Sequence, residues 1–135
     1  MNGAAPHTEN RPTLSDFGSG KIFVVEDEAL IAMLLQDMLA ELGYDVVGPA
    51  MRLQRALEMA RTEEFDLAIL DVNLANETSF PVAQLIAERG IPFIFATGYS
   101  VSGLEGRFKD APLLQKPFEM HQLEAAIAGL HHGSG

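Results

Sequence analysis

Five short apolar segments, alternating with stretches of helical periodicity, predict an α/β fold in which a doubly wound, five-stranded parallel sheet is covered by five helices on its two faces. Two observations carry this reading. The apolar segments are continuous runs rather than alternating ones, as strands buried on both faces are, and four of the five end abruptly on polar residues. The chain has 135 residues and is 47% apolar, enough for one compact domain and too little for two ordinary ones.

Lys21 to Val25 reads as the first strand and stops at Glu26, Asp27 and Glu28. Leu30, Ile31, Leu34, Leu35, Met38, Leu39 and Leu42 then recur at helical spacing, and Gly43 supplies a left-handed stop. Tyr44 to Val47 restarts a strand, closed by Gly48 and Pro49. Leu53 to Glu64 is a second helix with Leu53, Ala56, Leu57 and Ala60 on one stripe. Phe65 to Leu70 is the third buried run and delivers Asp71 to its end, followed by a loop from Val72 to Ser79. Thr78 or Ser79 can cap a third helix, with Pro81 tolerated in its first turn and Gly90 ending it.

Ile91 to Ala96 is the fourth strand, stopping at Thr97, Gly98 and Tyr99. Val101, Leu104 and Phe108 are spaced for a fourth helix, but Gly103 and Gly106 each cost roughly 1 kcal/mol relative to alanine, so a weak, partly melted helix is expected between Ser100 and Asp110. Pro112 to Gln115 is a short last strand. Glu119 to Leu130 is the last helix, with Leu123, Ala126, Ile127 and Leu130 facing inward.

Residues 1–20 carry only Leu14 and Phe17 as sizeable apolar groups and cannot build a core. They read as a disordered tail, with a docking role for Phe17 as the alternative. Residues 131–135 read as a frayed end, leaving 21–130 as the domain. His131 and His132, adjacent and without further ligands, make a poor metal site.

Composition excludes several functions. Without cysteine there are no disulfides and no thiolate metal sites, which fits a cytoplasmic protein. A formal charge of −10 repels nucleic-acid phosphates. Neither a secretory signal nor a run of about twenty apolar residues is present, so no membrane association is expected.

The polar residues that end the strands form a pattern. Glu26 and Asp27 follow the first strand, Asp71 the third, Thr97 the fourth and Lys116 the fifth. In an all-parallel sheet these positions share the carboxyl edge, where open α/β folds place their ligands. Taken singly each has an ordinary reading; Glu26, Asp27 and Glu28, for instance, could simply charge a helix N-terminus. Together they describe a reaction. Three clustered carboxylates either take up protons or hold a cation, and an all-oxygen set favours Mg²⁺. An ionised Asp71 can then attack phosphorus to give an aspartyl phosphate. Lys116 can meet one phosphoryl oxygen, the Thr97 hydroxyl can donate to another, and Gly98 leaves room for the donor.

The segments Val24-Val25-Glu26-Asp27-Glu28, Leu70-Asp71-Val72-Asn73-Leu74, Ala96-Thr97-Gly98-Tyr99 and Gln115-Lys116-Pro117-Phe118 resemble the receiver domain of two-component response regulators, from Lys21 to about Leu130. The resemblance implies a flavodoxin-like or CheY-like sheet of strand order 2-1-3-4-5. It implies that Asp71 is the phosphoacceptor and that Asp27, Asp71 and the main-chain carbonyl of Asn73 bind Mg²⁺, with Glu26 helping through water. It also implies a cis peptide between Lys116 and Pro117. Phe95-Ala96-Thr97-Gly98-Tyr99 is similar to the motif of a subgroup of stand-alone α-proteobacterial receivers. Ordinary receivers carry an aromatic switch residue three positions before the lysine; here Leu113 stands there, which makes Tyr99 the candidate for the moving ring.

The implied protein is a monomer or weak dimer that is a switch rather than a turnover enzyme. Its implied partners are a sensor histidine kinase and a histidine phosphotransfer protein or downstream regulator, and its signal would leave through the Thr97 to Asp110 region. The alternatives are a phosphohydrolase of the haloacid-dehalogenase type and a receiver-like module that takes no phosphate. The first is disfavoured because such enzymes place the nucleophile on the first strand with a second aspartate two residues on, where this chain has Asn73 after Asp71.

Overall fold

The apolar runs assemble side by side into the predicted sheet. In the computed structural model, which describes residues 20–98, 108 and 110–133, β1 (Lys21–Val25), β2 (Asp45–Ala50), β3 (Leu67–Asp71), β6 (Phe93–Thr97) and β7 (Leu113–Gln115) lie parallel in the order β2-β1-β3-β6-β7. This is the CheY-like order 2-1-3-4-5, counted over the five strands of the sheet. β1 and β3 are central and covered on both faces, which is why Ile22 to Val25 and Leu67 to Leu70 contain no polar residue.

Four helices lie among the described residues: α1 (Ala29–Glu41), α2 (Leu53–Thr62), α3 (Phe80–Glu88) and α4 (Met120–Gly133). They divide the core in two. On one face Phe23, Val25, Leu70 and Phe95 pack against Ala56, Ala60, Val82 and Ile86 of α2 and α3. On the other, Ile22, Val24, Ile69 and Ile94 pack against Leu35 and Leu39 of α1 and Leu123 and Ile127 of α4. Arg89, at the end of α3, ties the first layer together. Its guanidinium donates to the carbonyls of Ala60 (2.6 Å) and Glu63 (3.0 Å) at the end of α2, where a cation suits the helix dipole, and lies 5.1 Å from the Phe65 ring centre.

Two expectations change. The stretch from Val72 to Ser79 is not a plain loop, since β4 (Asn73–Leu74) and β5 (Glu77–Thr78) form a two-stranded antiparallel hairpin pinned by the buried Leu74. The helix expected from Leu30 to Leu42 is present as α1, with Leu30 and Leu34 exposed and Ala32, Leu35 and Leu39 buried. The last helix continues past Leu130 to Gly133. The weak helix expected over Ser100 to Asp110 lies outside the described residues, apart from Phe108 and Asp110. Phe108 is buried and its ring meets those of Phe80, Phe93 and Phe95 with centres 5.3 to 6.1 Å apart.

The strand expected to close at Gly48 and Pro49 instead runs through them. β2 is an edge strand, so Pro49 removes no bond from a central ladder. Its register with β1 slips between Phe23 and Val25, and Gly48 takes the bulge with φ +102°. A β-carbon at Gly48 would come within 2.9 Å of both the Ala50 nitrogen and the Val24 carbonyl oxygen. Beyond the bulge, the Ala50 carbonyl accepts the Glu26 N–H at 3.0 Å, so the bulge sets where Glu26 leaves the sheet. We expect Gly48→Ala to lower stability by roughly 1 to 3 kcal/mol in urea unfolding. A change under about 0.5 kcal/mol would contradict the steric argument.

Candidate functional site

Parallel strands deliver their last residues to one edge, and here that edge gathers the polar groups. Glu26 and Asp27 follow β1, Asp71 and Thr97 end β3 and β6, and Lys116 follows β7. Hydrogen bonds lock the ends together: Val72 N–H donates to the Ala96 carbonyl at 3.0 Å, and Lys116 N–H to the Thr97 carbonyl at 2.8 Å. Carboxylate oxygens of Glu26, Asp27 and Asp71 all lie within 4.8 Å of one another. The peptide from Lys116 to Pro117 is cis, as the resemblance implied.

The Lys116 ammonium sits between two of the acids, 2.8 Å from Glu26 Oε1 and 3.3 Å from Asp71 Oδ2. All three side chains are largely buried. The remaining oxygens are held by main-chain donors. Glu28 N–H donates to Glu26 Oε2 at 3.1 Å, Asn73 N–H to Asp71 Oδ1 at 3.3 Å, and Ala75 N–H to Asp27 Oδ2 at 2.8 Å. The β4–β5 hairpin therefore closes one side of the site. Its turn residue Ala75 has φ +57°, a left-handed conformation that costs a non-glycine residue energy and here points an N–H at Asp27.

One lysine does not balance three carboxylates. At the effective dielectric of a protein site, two like charges about 5 Å apart repel by roughly 3 kcal/mol. Burial pushes the Asp71 carboxyl up to about 7, the Glu26 carboxylate adds to the rise, and Lys116 and the Asn73 N–H pull only part of it back. Burial works against the Lys116 ammonium as well, but its hydrogen bond to Glu26 and the charge of Asp71 outweigh that and hold it above its ordinary value. A cluster of this kind takes either a proton or a cation near neutrality. Its donors are all oxygen, closely spaced and open to a cleft, which suits a hard divalent ion such as Mg²⁺.

That cleft has a volume of about 570 Å³ and an unequal lining. Asp27, Asp71, Asn73 and Lys116 form its polar end, and Ile31, Leu34, Leu35, Met38 and Phe118 its apolar flank. Gly98 borders the polar end, where a β-carbon on it would meet nothing within 4 Å. Thus Glu26, Asp27, Asp71, Asn73 and Lys116 converge as the sequence suggested. Thr97 lies buried at the end of β6, beside them through its carbonyl. Tyr99 lies outside the described residues. The sequence reading missed Ala75, which no glycine marks, and the apolar flank, whose residues looked like core.

Residues 22–128 match the family described as the response regulator receiver domain. The chain is similar to the transcriptional regulatory protein PdtaR of Mycobacterium tuberculosis, 39% identical over 111 residues that cover 79% of this chain and 54% of that protein. It spans about half the length of the curated relatives it matches. Among solved structures it is similar to SdrG from Sphingomonas melonis, with TM-score 0.74 and 48% identity over 82% of this chain and 94% of that one. The BeF₃-activated conformation of SdrG matches with TM-score 0.73 and 46% identity, over 83% and 96%. Among the described residues, no helix is long and apolar enough to cross a membrane.

The raised Asp71 pKa makes a prediction about stability. The folded state keeps this proton up to about pH 7, whereas the unfolded carboxyl loses it near 3.8. Between those values the native state binds more protons, so stability contributed by Asp71 falls as pH rises. Asparagine cannot titrate. Without divalent cations, we expect Asp71→Asn to differ least from wild type toward pH 4 and to be more stable by about 1 to 4 kcal/mol above pH 7. Urea unfolding across that range checks this; a difference constant with pH would refute it.

Proposed function

The chain belongs to the response regulator receiver family, and we propose that it works as a phosphorylation switch in which Asp71 accepts a phosphoryl group from a sensor histidine kinase in a Mg²⁺-dependent reaction. Receiver domains are signalling switches rather than classical enzymes, and they interact with histidine kinases and downstream effectors. The observation that carries the proposal for this chain is the placement of the Asp71 carboxylate beside both Lys116 and the Glu26–Asp27 pair at the polar end of an open cleft.

Asp27, Asp71 and the main-chain carbonyl of Asn73 would hold Mg²⁺, with Glu26 acting on it through water. Bound there, the ion supplies positive charge that keeps Asp71 ionised and offsets charge on the phosphoryl oxygens. An Asp71 carboxylate oxygen attacks phosphorus and forms the new P–O bond, while the bond from phosphorus to the donor breaks and its electron pair leaves with the donor. The donor enters by way of the cleft, beside Gly98. Lys116, already 3.3 Å from Asp71 Oδ2, meets one of the new phosphoryl oxygens. The Thr97 hydroxyl donates to another of them.

The signal leaves through a conformational change in the region from Thr97 to Asp110. Tyr99 is the candidate for the moving ring, and a histidine phosphotransfer protein or a regulator protein is the candidate receiver of the signal; a sink or relay role uses the same chemistry. Assignment to the subgroup of stand-alone receivers rests on the Phe95 to Tyr99 motif itself.

Incubation with Mg²⁺ and acetyl phosphate, followed by intact-mass measurement, tests the proposal. We expect wild type to gain the mass of one phosphoryl group per chain, and Asp71→Asn to gain none. No gain in wild type, or an equal gain in the variant, contradicts the assignment; continuing turnover of the donor without a stable adduct would favour a phosphohydrolase.

A further inference from the structure

The outward face of α1 has no counterpart in the reading above. Leu30, Met33 and Leu34 are 80%, 59% and 58% exposed, on a helix that buries Ala32, Leu35 and Leu39 on its opposite side. Leu34 also lines the cleft, together with Ile31, Leu35 and Met38, so the exposed stripe and the apolar flank are one continuous surface beside Asp71. Exposed apolar area of this kind marks a surface that is covered by something.

We propose that the stripe on α1 is covered by this chain's own N-terminal segment, residues 1–19, with Leu14 and Phe17 as its anchors. Position supports this. The Gly20 carbonyl accepts the Asp45 N–H at 3.0 Å, and Tyr44 N–H donates to the Leu39 carbonyl, so the segment joins the fold at the C-terminal end of α1. The thirteen-residue helix is about 20 Å long, and six residues of extended chain span about the same distance. Leu14, six residues before Gly20, can therefore reach any turn of α1, and Phe17 its last two turns.

Composition and charge agree. After Met1, Leu14 and Phe17 are the only sizeable apolar residues of the segment, spaced three apart. The stripe is bordered by the exposed acids Glu28, Asp37 and Glu41. A second copy of this chain, with formal charge −10, would bring the same acids against themselves. The segment carries Arg11 and His7 against Glu9 and Asp16 and is close to neutral. Arg11 is far enough from Gly20 to reach Glu28, beside the mouth of the cleft. Docking does not depend on the phosphoacceptor reading.

The chain has no cysteine, so Ser15→Cys gives one site for a nitroxide label on the full-length protein. We expect amide resonances of residues 30–38 to lose more than half their intensity when the ¹⁵N-labelled chain itself carries the nitroxide, and to keep it when Leu14→Asp and Phe17→Asp are added. Broadening confined to residues next to Gly20 would overturn the proposal and leave the stripe to a separate protein. Broadening seen equally when an unlabelled nitroxide chain is mixed with an unmodified ¹⁵N chain would overturn it in favour of a second copy. Neither readout requires phosphate or Mg²⁺, so a failure here is distinct from a failure of Asp71 to be phosphorylated.

Discussion

A buried ammonium shared by two buried carboxylates organises this protein's working edge. Lys116, just after β7, reaches past the end of β6 to Asp71 at the end of β3 and to Glu26 at the end of β1, and the contacts need these strands parallel and ending level. Buried charges are costly unless paired and hydrogen-bonded, and the surroundings meet that demand with main-chain donors. The bulge at Gly48 fixes where Glu26 leaves the sheet, the β4–β5 hairpin brings the Asn73 and Ala75 N–H groups to Asp71 and Asp27, and Glu28 N–H takes the second Glu26 oxygen. Irregular features of the backbone thus cluster around one charge group.

The arrangement is underfilled in positive charge. Three acids face one lysine, and burial, reinforced by the nearby Glu26 carboxylate, leaves an Asp71 carboxyl that keeps its proton to about pH 7. A carboxyl in that state cannot act as a nucleophile. The same shortage makes the site receptive to a divalent cation, which would both ionise Asp71 and prepare the site for the negative charge of a phosphoryl group. On this view metal dependence follows from counting charges at the strand ends.

Much of this was legible in the sequence, and what was not has physical reasons. Continuous apolar runs at Val24-Val25 and Leu67 to Leu70 can only be buried on both sides, so the parallel sheet and its functional edge followed from them. Gly48-Pro49 reads as a strand stop, because one sequence does not say that a strand lies at the sheet edge, where a bulge and a proline are tolerated. The hairpin at Asn73 to Thr78 is too short to leave a periodic trace. Leu30 and Leu34 recur at helical spacing along with Leu35 and Leu39, although only the latter are buried; spacing identifies a helix but not the width of its buried face. Lys116 and Glu26 were each assigned to the site, one to phosphate and one to metal, while their 2.8 Å contact depends on rotamers that a residue list does not contain.

Calorimetric titration of the protein with Mg²⁺, in buffers of different ionisation enthalpy, most directly tests the claim that these carboxylates hold either a proton or a cation. At pH 7, where Asp71 is about half protonated, binding should release roughly half a proton per ion, falling toward zero near pH 9. Binding with no proton release at pH 7, or with the same release in Asp71→Asn, would contradict it.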